Sequence, residues 1–225
     1  MHEQRVLAVI TARGGSKRVP QKNLRKLGKR SLLERTVEAS LGSSIVDRTV
    51  LSSDCPKIMK DAVRCGCEVP FIRPPELATD GAMSEDVLTH AINNLPFFDW
   101  VLLLQPSSPF RTSDDIDLAF ELTEKFNRNS CVGVTKIQSG TDLDQKYFFH
   151  GDVFAPTSHE NGFFEQNYRE VFILNGAIYL IRTSHFLRTK KLVDANTIGI
   201  QMSAKKSLDI DTFDDLHRAA KFMEA

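Results

Sequence analysis

The sequence predicts an α/β fold: an open, mainly parallel sheet flanked by helices, with one excursion. Two observations predict it. Short apolar runs alternate with stretches of helical period, which is the pattern of βαβ units. The chain has 225 residues, 41% hydrophobic and 26% charged, enough for a sizeable core in one domain over 1–225. The excursion is residues 136–170, a polar, Gly- and aromatic-containing stretch without a sustained period.

In chain order, residues 6–10 read as a buried first strand, and 32–41 as an amphipathic helix with Ser31 as N-cap. Residues 46–52 read as a strand and 56–65 as the helix after it. In 84–95, Val87, Leu88, Ala91, Ile92 and Leu95 fall at helical spacing. Residues 100–104 form a buried strand that Pro106 stops. Asp114 and Asp115 suit the first turn of a helix over 113–126. Residues 131–135 are strand-like, as are 171–181, where Asn175-Gly176 interrupts. A strand over 197–201, an acidic turn at 209–211 and a helix from Thr212 complete the chain. The excursion at 136–170 reads as an inserted hairpin, a lid or an oligomer contact.

Composition excludes several classes. No stretch approaches the roughly 18 apolar residues of a membrane helix, and the short apolar run at 6–10 meets Arg13 rather than a signal cleavage site. Four cysteines (Cys55, Cys65, Cys67, Cys131) do not make a disulfide framework in this length. The expectation is a soluble, cytoplasmic protein with reduced thiols. Lys+Arg and Asp+Glu both number 29, but residues 4–33 hold nine basic residues and no acidic one. The remainder therefore has 20 basic against 29 acidic residues. One local cluster on an acidic body points to a small polyphosphate partner, not to nucleic acid and not to a membrane.

Ligands of open α/β sheets collect beyond the carboxyl ends of strands. The first such end carries Ala12, Arg13, Gly14, Gly15, Ser16, Lys17, Arg18 and Lys22. Paired glycines allow tight backbone geometry and an anion nest, and Arg13, Lys17 and Lys22 can converge on a triphosphate. This is neither the P-loop nor the dinucleotide glycine pattern. A flexible basic loop is the plain alternative, and the position directly after a buried strand favours the site. Asp209 and Asp211 lie at i and i+2, so in extended chain both face one side and suit a hard cation such as magnesium. Taken alone, Asp211 serves equally well as the cap of the last helix. Gln105 and Arg111 flank a rigid Pro-containing loop after the 100–104 strand, and Arg73 opens a loop that ends near Ser84. None of the six histidines sits in a nucleophile–base pattern.

Six segments in order, ARGGSKRVPQKN (12–23), SSD (52–54), RPPELATD (73–80), LQPSSPFR (104–111), NGAIY (175–179) and DID (209–211), resemble the acylneuraminate cytidylyltransferase family. Its members make CMP-activated sialic, legionaminic and pseudaminic acids. The resemblance implies a Rossmann-like nucleotidyltransferase fold with a small protruding dimerisation subdomain at 136–170, and hence a homodimer. It implies triphosphate contacts from Arg13, Lys17 and Lys22, with Ala12, Gly15 and Ser16 in the same loop. Asn23, Arg73, Ala82 and Ser84 match the ribose and cytosine contacts. Gln105, Arg111, Arg169, Asn175 and Tyr179 fall in segments toward the acceptor sugar, and Asp209 and Asp211 match magnesium ligands. Substrates would be CTP and a nonulosonic acid. One departure is Glu165, where the family carries an arginine that meets the sugar carboxylate. Either Arg169 substitutes, the loop shifts register, or the acceptor is of legionaminic or pseudaminic type. The alternatives are a nucleotidyltransferase of this fold acting on another sugar or sugar phosphate, and a catalytically silent nucleotide binder.

Overall fold

The structure, a computed structural model, describes residues 4–137, 147–150, 153–156 and 171–224. Strand β1 (Val6–Thr11) lies at the centre of one half of the sheet. A two-stranded ribbon, β2 (Lys26–Leu27) and β3 (Arg30–Ser31), leads into α1 (Leu32–Leu41). Then follow β4 (Arg48–Ser52), α2 (Pro56–Arg64), α3 (Ser84–Asn93), β5 (Trp100–Leu104) and α4 (Ser113–Lys125). The second half has β6 (Ser130–Ile137), β7 (Tyr147–His150), β8 (Val153–Pro156), β9 (Val171–Arg182), α5 (Thr183–Thr189), β10 (Thr197–Gln201) and α6 (Phe213–Glu224).

The strand order is β10-β6-β9-β5-β1-β4, with β7 pairing β8 and the start of β9. β4, β1 and β5 run parallel, as do β6 and β10, while β9 runs antiparallel to both its neighbours. A mainly parallel sheet was expected, and one reversed strand joins its halves.

Both faces are covered, which is why these strands read as continuous apolar runs. Leu7, Val9, Val101 and Leu103 pack on one side with Leu88 and Ala91 of α3 and Phe186 of α5. Val6, Ala8, Ile10, Leu102 and Leu104 face Val37, Ile58, Ala62, Ile116 and Phe120 of α1, α2 and α4. Each Val, Leu, Ile or Phe among them contributes about 1.5–3 kcal/mol on burial. Trp100 is fully buried, edge-on to Phe120 at a centroid distance of 5.7 Å.

Local signals account for several boundaries. Ser31 caps α1 reciprocally with Glu34: the Glu34 N–H donates to Ser31 Oγ at 3.1 Å, and the Glu34 carboxylate accepts from the Ser31 N–H. Such a cap is worth about 1 kcal/mol. At the other end of the chain, Asp215 N donates to Thr212 Oγ1 at 3.2 Å and Thr212 N to Asp215 Oδ2 at 2.9 Å. Thr212 therefore caps α6, and Asp211 is left out of that role.

Two expectations change. Asn175-Gly176 does not interrupt β9: the strand continues through a register shift opposite Val132 and Val134, with Gly176 at φ 72° taking the left-handed conformation. Helix α5 was not anticipated, because its seven residues carry no complete apolar period. Most of 136–170, including Glu165 and Arg169, lies outside the described residues.

Candidate functional site

Beyond the carboxyl ends of β1 and β5 lies a cavity of about 570 Å³. Thr11 and Gln105 mark the two strand ends on its wall. The loop after β1 contributes Arg13, Ser16, Lys17, Arg18, Lys22 and Asn23. Opposite stand Arg73, Asp80, Ala82 and Ser84, and the floor is Ser107, Asp209 and Asp211. The structure thus brings eleven of the expected residues to one cavity, from five separate stretches of chain.

The basic loop is held by hydrogen bonds from below. Gly14 N donates to Asp54 Oδ1 at 2.8 Å, Ala12 N to Ser52 O at 3.1 Å, and Asn23 Nδ2 to Arg13 O at 3.0 Å. A Cβ on Gly14 would sit 2.9 Å from Cys55 Cβ, so close approach requires that glycine. Nothing comparable surrounds Gly15. The nest expected from both glycines is corrected accordingly: the Gly14 N–H is already committed to Asp54, and side-chain cations supply the positive field. Ala12 is buried and acts through its backbone.

The cations are paired with two carboxylates from distant segments. Asp80 takes Arg13 Nη2 and Lys17 Nζ, both at 2.6 Å. Asp211 takes Lys22 Nζ at 3.0 Å and Arg18 Nη1 at 3.4 Å. Asp209 is exposed and opens onto the cavity. Desolvation by the neighbouring loops pushes its pKa up from the usual carboxylate value against a lowering hydrogen bond from Ser107, and Asp211 adds a like charge. Two carboxylates, both opening on a polar cavity, are a hard oxygen donor set that fits magnesium.

Arg73 lines the cavity with its guanidinium engaged: Nε donates to Ser52 Oγ at 3.1 Å and Nη2 to Ser52 O at 2.6 Å. Burial lowers its pKa to about 10. It ties the end of β4 to the loop that leads toward α3.

Three acceptor-side expectations are placed elsewhere. Arg111 is buried, not presented to the cavity: Nε donates to Ala177 O at 2.8 Å, and Nη2 to Ser108 O at 3.1 Å and to Gln105 O. Its Nη1 has no partner among the described residues, and burial lowers its pKa to about 9. Arg111 fixes the 105–111 loop from behind. Asn175 is buried too, its Nδ2 donating to Ser207 Oγ at 2.9 Å and its Oδ1 accepting from Ala177 N at 3.0 Å. Ser207 belongs to the stretch that leads to Asp209, so Asn175 steadies the cavity floor. Tyr179 is half-buried in β9, paired with Leu103 and Val132, and is not among the residues lining the cavity.

Sequence reasoning missed Asp54, Asp80 and Ser107. Asp54 and Asp80 stood inside segments already singled out, but their partners are remote in sequence. All four cysteines are free thiols. A second acidic group, Glu34 on α1, Asp61 on α2 and Cys65 just after α2, is occupied by Arg64, which bonds both carboxylates. No helix among the described residues is long and apolar enough to cross a membrane.

Comparison with known proteins places this geometry in context. Residues 7–195 match the family described as cytidylyltransferase. The chain is 36% identical over 228 residues to the CMP-N,N'-diacetyllegionaminic acid synthase of Legionella pneumophila, covering 98% of this chain and 97% of that one. It is 37% identical over 220 residues to the pseudaminic acid cytidylyltransferase of Campylobacter jejuni, covering 95% and 94%. A solved CMP:2-keto-3-deoxy-manno-octonic acid synthetase complexed with CTP superposes with a TM-score of 0.78 at 15% identity, over 98% of both chains.

Proposed function

The chain belongs to the cytidylyltransferase family, and we propose that it transfers CMP from CTP to the anomeric hydroxyl of a nonulosonic acid, releasing pyrophosphate. One observation carries the reading: Arg13, Lys17, Arg18 and Lys22 converge with Asp209 and Asp211 on one cavity at the strand ends.

The reaction is attack of a sugar hydroxyl on the α-phosphorus, and it asks for alignment and charge neutralisation more than for a covalent protein intermediate. Arg13 and Lys17 are assigned in this reading to the β- and γ-phosphates, where they would stabilise the pyrophosphate as it leaves. Lys22, only 18% exposed and beside Asp211, is assigned to the α-phosphate. Asn23, Arg73, Ala82 and Ser84 line the nucleoside side, and Gln105 stands toward the acceptor. Asp209 and Asp211 would hold magnesium, which supplies further neutralisation of phosphate charge when bound.

The acceptor is a legionaminic- or pseudaminic-type acid in this reading, supported by the names of two relatives that cover nearly the whole chain. Glu165 in place of the family arginine agrees with an acceptor other than N-acetylneuraminate. A homodimer formed through 136–170 belongs to the same reading, and sedimentation velocity tests it. The function is tested by pyrophosphate release from CTP and magnesium with N-acetylneuraminic, legionaminic, pseudaminic and eight-carbon keto acids. Turnover with a legionaminic or pseudaminic acid is expected. Silence across the panel with CTP still bound would move the function to another acceptor.

A further inference from the structure

Three acids line the cavity, and two of them, Asp209 and Asp211, have a place in the proposed chemistry. The third does not. Asp80 lies on the loop before α3 and spends one carboxylate oxygen on each of two cations: Oδ1 accepts from Arg13 Nη2 and Oδ2 from Lys17 Nζ, both at 2.6 Å. Arg13 reaches the same loop a second time, through Nη1 to Ala78 O at 3.4 Å. These cations are the pair assigned to the outer phosphates. To them, a carboxylate offers what a phosphate offers: anionic oxygens at charge-assisted hydrogen-bond distance.

We propose that Asp80 is the resident anion of the phosphate subsite, displaced by the polyphosphate of the bound nucleotide and returning when pyrophosphate leaves. It thereby sets how tightly the subsite holds polyphosphate. The inference rests on the proposed function, since it takes the cavity to be a nucleotide site.

The geometry suits an occupant that must give way. The Asp80 side chain is 51% exposed and that of Lys17 81%, so each ion pair is well screened by water and weak. A polyphosphate carries several charges to the one that Asp80 carries, and it wins the exchange. The neighbouring Gly81 has nothing within 4 Å of where a Cβ would be, which leaves this part of the loop room to shift. The same loop carries Ala82 and Ser84, so nucleoside contact and departure of the carboxylate involve one segment. Lys17 and then Arg13 hold the Asp80 carboxyl below the usual carboxylate range, which keeps the occupant ionised and competitive. Meanwhile the basic residues stay ordered instead of repelling one another in an empty site.

The test uses the full chain with Asp80→Asn and Asp80→Glu, and calorimetric binding of inorganic pyrophosphate, CTP and CMP with magnesium and without acceptor. Asp80→Asn is expected to bind pyrophosphate about three- to tenfold more tightly than the parent, the effect of removing two screened ion pairs. CTP should follow in the same direction. CMP, which lacks the outer phosphates, should bind all three proteins alike, and Asp80→Glu should stay near the parent. Pyrophosphate binding that is unchanged or weaker in Asp80→Asn overturns the proposal, as does parallel loss of CMP binding, which would make Asp80 a structural part of the loop. If the parent binds neither pyrophosphate nor CTP, the nucleotide reading itself falls and takes this inference with it.

Discussion

Lys22 and Asp211, 189 positions apart in sequence, meet at 3.0 Å in the floor of the cavity. The contact joins the loop after the first strand to the approach of the last helix. Since Thr212 caps α6, nothing in the helix requires the Asp211 carboxylate, and its place is explained by the cavity.

That separation gives a clean test of the proposed metal role. Asp211→Asn keeps the size and the helix cap but loses the charge. Turnover is expected to fall about a hundredfold or more, several kcal/mol of lost charge stabilisation. The thermal midpoint should hardly move. Initial rates against magnesium concentration, with melting curves alongside, check both halves.

Gly133 and Asn175 make a second prediction. A Cβ on Gly133 would lie 2.4 Å from Asn175 Oδ1, so Gly133→Ala is expected to cost about 1–3 kcal/mol through overpacking. Asn175→Ala costs about 1–3 kcal/mol by a different route, leaving Ala177 N–H and Ser207 without their partner. In the double variant the clash has gone, so the two costs should not add. Urea unfolding of the four proteins reads the coupling.

Arg111 should behave as a support of the 105–111 loop. Arg111→Met keeps the bulk and removes a donor from each of three backbone carbonyls. A loss of about 3 kcal/mol is expected. Arg111→Lys should recover little of it, since one ammonium cannot reproduce the planar fork. The buried Trp100, the protein's single tryptophan, gives the fluorescence signal.

Alkaline pH should weaken the fold through two buried thiols. Burial pushes both Cys67 and Cys131 up to about 12 from an ordinary 9.0. Their folded forms therefore keep protons that the unfolded chain releases. This contribution is fully present below pH 9 and is lost as pH rises toward 12. Each thiol should cost about 1.4 kcal/mol by pH 10. Cys131→Ala and Cys67→Ala should each flatten the fall in urea midpoint between pH 8 and 10.

The parts of this molecule that were legible in its sequence are those governed by near neighbours. The strands at 100–104 and 197–201 were read with their bounds, and α1 with its cap, because a buried strand's apolar run and a capping box are written within a few residues. The basic loop and the Asp209–Asp211 pair were legible for the same reason. Partnership across the fold was not. Asp80 and Arg13 are 67 positions apart, and no local pattern tells an acid that meets a cation from one that meets water. Arg111 and Gln105 shared a loop and were read alike, yet one faces the cavity and the other faces its own backbone. The bulge at Asn175-Gly176 looked like a break because its tolerance depends on Gly133, which lies on another strand.

The end of β6 and the beginning of β9 are direct partners, Ile137 against Val171. The 33 residues between them are closed by that pair, and β7 within them pairs with the first residues of β9. Chain closed at such a point can lengthen cheaply, at about 0.6 kcal/mol for each doubling. The intervening 33 residues can thus be exchanged, extended or shortened under selection for a new acceptor or a new neighbour, while the machinery that handles the nucleotide is inherited unaltered.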